Sequence, residues 1–198
     1  MASGVPLGMV TVAVPADASP NGIAGTASAG AASVTIPNGT PLGTYYVLAC
    51  ADDGKTVSER DETNNCRASS TPIQVGRPDL VIAAVTNPSA TAVRGTSIQV
   101  TATVQNPTSF DATATFRVQY YLSLDGLKNG GDRLLTGYRT VAGLAAGVSS
   151  PATTSVTIPA ATPPGDYFLV VCADDTFLVM EQDETNNCRA STSKLKVL

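Results

Sequence analysis

Asp61-Glu62-Thr63-Asn64-Asn65-Cys66-Arg67-Ala68-Ser69 returns letter for letter as Asp183-Glu184-Thr185-Asn186-Asn187-Cys188-Arg189-Ala190-Ser191. The same offset of 122 positions relates Cys50 to Cys172, Pro41 to Pro163, and Val34-Thr35-Ile36-Pro37 to Val156-Thr157-Ile158-Pro159. The match runs without a gap from about Gly22 to Gly76 and from Leu144 to Leu198. A fixed period of domain length identifies a tandem array. Residues 77–198 form one complete unit, whereas residues 1–76 form a partial unit without a counterpart of Pro78 to about Phe116. The second unit can close an ordinary core; the first is not expected to close its own. The chain accordingly reads as a segment excised from a longer array.

Composition narrows the class. Thr, Ser, Ala, Val and Gly dominate, which suits short strands and turns. In the complete unit, apolar and polar residues alternate with a period of two through several short runs. Asp79–Val85 opens the unit, and Ser97–Val104 places Ile98, Val100, Ala102 and Val104 on one face. Phe116–Leu122 turns Phe116, Val118, Tyr120 and Leu122 inward, followed by Leu134–Val141 and Ser155–Ile158. Tyr167–Cys172 is a nearly continuous apolar run, as a central strand requires, and Ser193–Leu198 ends the chain. Turn formers separate these runs: Asn106-Pro107, Lys128-Asn129-Gly130-Gly131-Asp132 and Pro163-Pro164-Gly165-Asp166. Seven short antiparallel strands without helical periodicity predict an all-β, immunoglobulin-like sandwich. The partial unit keeps only the later strands, expected at Ser33–Ile36, Tyr45–Cys50 and Arg67–Val75.

The four cysteines form two pairs of identical spacing, which reads as one disulfide per unit, Cys50–Cys66 and Cys172–Cys188. Such bridges place the chain in an oxidising compartment. Each closes a loop of about 15 residues and contributes roughly 3 kcal/mol in the chain-entropy account. The rival, a four-thiolate zinc site, needs C-x-x-C spacing or units folded face to face, and neither is suggested. The bridge is expected to clip the loop between the last two strands. No Trp is present to pack against it, unlike an immunoglobulin disulfide.

The motifs of the complete unit resemble, in order, those of the CARDB family, an immunoglobulin-like domain of bacteria and archaea first described as related to cell adhesion. Pro78-Asp79-Leu80 stands at the opening and Tyr120-Tyr121-Leu122-Ser123-Leu124-Asp125 in mid-domain. Leu144-Ala145-Ala146-Gly147 precedes Val156-Thr157-Ile158-Pro159; Gly165-Asp166-Tyr167-Phe168, Cys172-Ala173-Asp174 and Glu181-Gln182-Asp183-Glu184-Thr185-Asn186-Asn187 follow. The resemblance implies tandem, secreted or surface-exposed modules without catalysis, some of them appended to secreted hydrolases. Two function classes follow. The first is a structural or adhesive surface protein, whose partners are copies of itself, other surface proteins or matrix. The alternative is an accessory spacer or binding module, stabilised by calcium, in a larger secreted enzyme.

Other classes fare badly on residue chemistry. A net charge of −4 with 12 basic residues and no basic stripe argues against nucleic acid. No apolar run reaches the ~20 residues of a membrane-spanning helix. With no His, the usual acid–base and triad schemes lose their base. The carboxylate pairs Asp52-Asp53 and Asp174-Asp175 recur in both units, which marks them as signatures of the fold rather than a glycosidase pair.

The acidic turn is the best ligand candidate. Asp174, Asp175, Glu181, Asp183 and Glu184, with the amides of Asn186 and Asn187, offer enough oxygens for calcium. The plainer reading is that these side chains satisfy the backbone of a tight turn. Asp125, Asn129 and Asp132 form a second oxygen cluster with the same two readings. Asn38-Gly39-Thr40 is a formal glycosylation sequon whose acceptor is not repeated. Finally, a sandwich without its front strands exposes an edge open to strand addition. Met9-Val10-Thr11-Val12-Ala13-Val14 alternates like a strand and is a candidate self-assembly edge, giving head-to-tail contacts that propagate as a filament.

Overall fold

The computed structural model describes residues 31–198, and every regular element among them is a β-strand. The chain divides into two compact units, with the division between Val75 and Gly76.

In the first unit, β1 (Gly43–Tyr45) pairs antiparallel with β4 (Ile73–Val75), and β2 (Leu48–Cys50) with β3 (Cys66–Ala68). These are two stretches of one ribbon, interrupted where Ser69 takes over the pairing. Its Oγ accepts the Val47 N–H at 3.1 Å and donates to the Thr71 carbonyl at 2.8 Å. The strand expected at Ser33–Ile36 does not form. In the second unit the equivalent Val156 pairs with Ile98, on a strand with no counterpart among the described residues of the first unit. A strand is a hydrogen-bonding relation, and this segment has no partner among the described residues. The candidate edge Met9–Val14 lies outside the described residues.

The second unit is a two-layer sandwich. One sheet has the order β11–β7–β5, from β5 (Val81–Val85), β7 (Ser97–Gln105) and β11 (Ser149–Thr157). The other runs β10–β8–β12–β13–β6, from β6 (Thr91–Ala92), β8 (Phe116–Ser123), β10 (Arg139–Val141), β12 (Gly165–Ala173) and β13 (Cys188–Val197). A short β9 (Arg133–Leu134) also pairs with β8. Inward-facing residues of both layers, among them Leu80, Val100, Val104, Phe116, Val118, Tyr120, Leu122, Val156, Leu169, Val171 and Leu195, form one continuous core. The Tyr120 hydroxyl crosses between the layers to Thr154 at 2.8 Å, so its polar end stays satisfied inside that core. At one margin Arg139 of β10 donates to the carbonyl of Ser150 on β11 at 2.8 Å, tying the two sheets together.

Four expectations need correction. The run Leu134–Val141 is two short strands rather than one, because the chain leaves the sheet between them. Leu135 is buried in the core there, and Thr136 pairs with Thr157 of the opposite layer. Gly137, at φ +114°, makes that crossing possible; a Cβ there would lie 2.9 Å from the Ser155 carbonyl. β11 begins six residues earlier than the alternation suggested. It is an edge strand, so Pro151 is tolerated within it. β13 likewise begins at Cys188 rather than Ser193. Not all pairing is antiparallel either: β6, two residues with no apolar alternation to announce it, runs parallel to β13.

Candidate functional site

The repeated motif builds a loop, Asp174 to Asn187, between β12 and β13. Cys172 and Cys188 are directly paired residues of that ladder, with Cα atoms 4.1 Å apart, so their disulfide closes the loop at its base. Cys50 and Cys66 do the same across β2 and β3, at 4.0 Å. No described cysteine is free, so none remains as a thiolate for zinc.

Each acidic residue of the loop faces its own protein donor. Asp174 takes the left-handed conformation (φ 45°), and its buried carboxylate accepts the N–H groups of Leu178 at 3.1 Å and Val179 at 2.6 Å. Asp183 accepts from the backbone (2.9 Å) and hydroxyl (2.6 Å) of Thr185, and these bonds hold its carboxyl below the ordinary range. Glu184 receives the Glu181 N–H at 2.9 Å. Asp175 accepts the Tyr121 hydroxyl and sits 3.7 Å from Lys128, whose ammonium lies 4.4 Å above the Tyr121 ring. Burial, then the Asp175 carboxylate, push the Tyr121 phenol upward.

Glu181 and its neighbours reach furthest in sequence. Glu181, only 3% exposed, accepts the N–H of Leu80 and the side-chain amide of Asn187 at 2.7 Å. Burial pushes its carboxyl up to about 7, against the lowering effect of those two donors. Beside it, the Gln182 N–H donates to the Pro78 carbonyl at 2.9 Å. The Asn186 amide donates to both oxygens of Asp79, at 3.1 Å each. Arg189 donates to the Ala83 carbonyl at 2.6 Å. The motif is therefore a clamp that grips Pro78-Asp79-Leu80 and the start of β5. Asn87 closes the far end by accepting from Thr192 at 2.9 Å and Ser193 at 3.2 Å.

Among the described residues, no three carboxylates from Asp174, Asp175, Glu181, Asp183 and Glu184 converge on one point. Within this loop the buried side-chain oxygens without a donor are the amide Oδ1 atoms of Asn186 and Asn187. The second cluster is a turn network: Asp125 accepts from Ser123 and Leu127 at 2.9 Å each, and Asp132 accepts the Asn129 N–H at 2.8 Å. Asn38 of the sequon is exposed in a turn, and Thr40 repeats the turn of its twin Thr162. Alternation and composition revealed neither Asp79 nor Asn87 as partners of the motif. The signal that could have found Asp79 was the Pro-Asp-Leu opening itself, a carboxylate beside a strand start.

In the first unit the local bonds recur almost atom for atom. Asp52 (φ 42°) accepts the Thr56 N–H at 2.9 Å and the Val57 N–H at 2.8 Å; Thr63 donates to Asp61 at 2.9 and 2.6 Å; Glu59 donates to Glu62 at 3.0 Å. The long-range half is missing. The side chains of Glu59, Asn64, Asn65 and Arg67 bond to no described residue, and an open concavity of about 550 Å³ is lined by Glu59, Arg60, Asp61 and Asn64.

Comparison with known proteins places this architecture. Residues 77–191 match the CARDB family, a span of more than half the chain, and the chain belongs to that family. A CARDB domain from Pyrococcus furiosus, solved in complex with di-metal ions, is 21% identical (TM-score 0.43), with 62% of this chain and 90% of that one covered. A domain of a Methanosarcina acetivorans protein, provisionally described as a cell-surface protein, is 25% identical (TM-score 0.43; 62% and 93% covered). A Listeria innocua β-glucosidase is 15% identical (TM-score 0.38), covering 64% of this chain but 17% of that enzyme. No curated protein matches the chain.

Proposed function

We propose that this chain is a non-catalytic structural or adhesive module of the cell surface or extracellular space, built of CARDB-type units joined by strand complementation. The observation that carries the reading is the engagement of the polar signature residues. Where a catalytic or metal site would need free carboxylates, Asp174, Glu181, Asp183 and Glu184 accept hydrogen bonds from the fold itself. Two disulfides support an oxidising, extracytoplasmic setting. Among the described residues the first unit is a ribbon of two-stranded pairs, which supports strand addition at its edges.

Negative-stain microscopy with and without a chelator, alongside light scattering, tests this. The expected outcome is multimers or fibres that survive the chelator, since the acidic loops already have protein donors. A well-folded monomer at high concentration would remove self-assembly from the proposal. Chelator-sensitive fibres would instead restore a calcium role for the loop.

A further inference from the structure

The two copies of the motif differ in one respect that bears on partners: the clamp of the second unit is occupied, and that of the first holds none of the described residues. In the second unit the occupant is known atom by atom. Gln182 donates to the Pro78 carbonyl, Glu181 accepts the Leu80 N–H, Asn186 donates to the Asp79 carboxylate, and Arg189 donates to the Ala83 carbonyl. Their counterparts, Arg60, Glu59, Asn64 and Arg67, are exposed, and the first three line the concavity. The shared turn bonds of Asp52, Asp61 and Glu62 hold the open loop in the form of the occupied one.

We propose that this concavity is a receptor for an extended strand carrying Pro-Asp-Leu followed by aliphatic residues. Arg60 supplies its backbone N–H to the Pro carbonyl, Asn64 meets the Asp carboxylate, Glu59 accepts the Leu N–H, and Arg67 reaches a carbonyl four residues beyond the Asp. On binding, Asn65 closes on Glu59 as Asn187 does on Glu181. Recognition by main-chain bonds with one side-chain contact for selectivity is the logic of strand addition. The strand also covers what the ribbon leaves bare: Val57 is 60% exposed, whereas its twin Val179 is 4% exposed within the core that holds Leu80.

This inference rests on the reading of the first unit as a strand acceptor, and the experiment separates the two. A peptide with the sequence of Arg77 to Asn87 is titrated into the full chain, followed by the amide resonances of Glu59 to Arg67. The expected result is saturable shifts at Arg60, Asn64 and Asn65, with Asp183 to Arg189 unmoved because their own clamp is filled in cis. Asn64→Ala in the chain, or Asp79→Ala in the peptide, is expected to weaken binding about tenfold each, and only about tenfold when combined, since they break one contact. Absence of shifts, or binding indifferent to both substitutions, overturns the slot. Light scattering without peptide addresses assembly alone. A monomer that binds the peptide keeps the slot and removes self-assembly; multimers that ignore the peptide do the reverse.

Discussion

Asp61–Ser69 and Asp183–Ser191 are the same nine residues in two surroundings; their turn bonds agree, whereas the bond from Asn187 to Glu181 and the contacts beyond the loop have no twin among the described residues. Inside the loop they agree: the Asp–Thr bonds are 2.9 and 2.6 Å in both copies, the Ser69 and Ser191 hydroxyls accept at 3.1 and 3.0 Å, and both disulfides join paired strand residues. Outside it they diverge. Cys172 is fully buried and Cys50 exposed; Glu181 is clamped on Leu80 and Glu59 stands free of any described residue. The lesson is one of range. Turn chemistry acts over two to five residues and is indifferent to context. Burial depends on partners from elsewhere in the chain, Leu80 for Glu181 and Tyr121 for Cys172, and neither has a counterpart among the described residues of the first unit.

The pair Glu181→Ala and Glu59→Ala breaks the comparison most sharply. The first leaves the buried Leu80 N–H and the Asn187 amide without an acceptor, and costs about 3 kcal/mol. The second falls within about 0.5 kcal/mol, as exposed substitutions do. Urea unfolding, with hydrogen exchange at the Leu80 amide as the local probe, measures both. Equal effects would mean that the clamps are alike after all.

Reduction of the disulfides sharpens the contrast at a second point. Under native conditions Cys50 and Cys66 should be reduced and alkylated first. The buried Cys172 must await a local opening of about 3 kcal/mol, which slows its bridge about 100-fold. Mass spectrometry of a timed alkylation reads the order directly.

A third effect is a pH dependence carried by Glu181 of the second unit. Burial raises Glu181 to about 7 in the folded state, above its ordinary 4.5. The folded state therefore binds that proton more tightly than the unfolded one. The resulting stability is fully present below 4.5 and is lost as pH rises through about 7. Glu181→Gln should flatten this slope in thermal melts between those limits, and Glu59→Gln should leave it unchanged.

How much of this was legible beforehand varies by element. β8 and β12 were readable almost to the residue, because both are central strands whose inward faces carry Phe116, Val118, Tyr120 and Leu122, or a near-continuous apolar run. β6 and the first half of β11 were not, since Thr91-Ala92 and a Ser/Pro/Thr edge carry no apolar period; their place follows from the partners they find. At the candidate site, the acidic and amide residues stood out by repetition, but their duty did not. A cluster of oxygens looks the same to the eye whether it awaits a cation or a row of N–H groups.

Sequence alone determined the all-β class, the duplication and the turn-forming character of the acidic stretch. Each rests on short-range chemistry: alternation with the pleat, the identity of repeated letters, and side chains that bond their own backbone. Only the tertiary structure decided that Glu181, Asn186 and Arg189 form a clamp on β5, and that the twin of this clamp stands open. That outcome turns on long-range pairing, where the free energy of each polar group is set by which strand lies across from it.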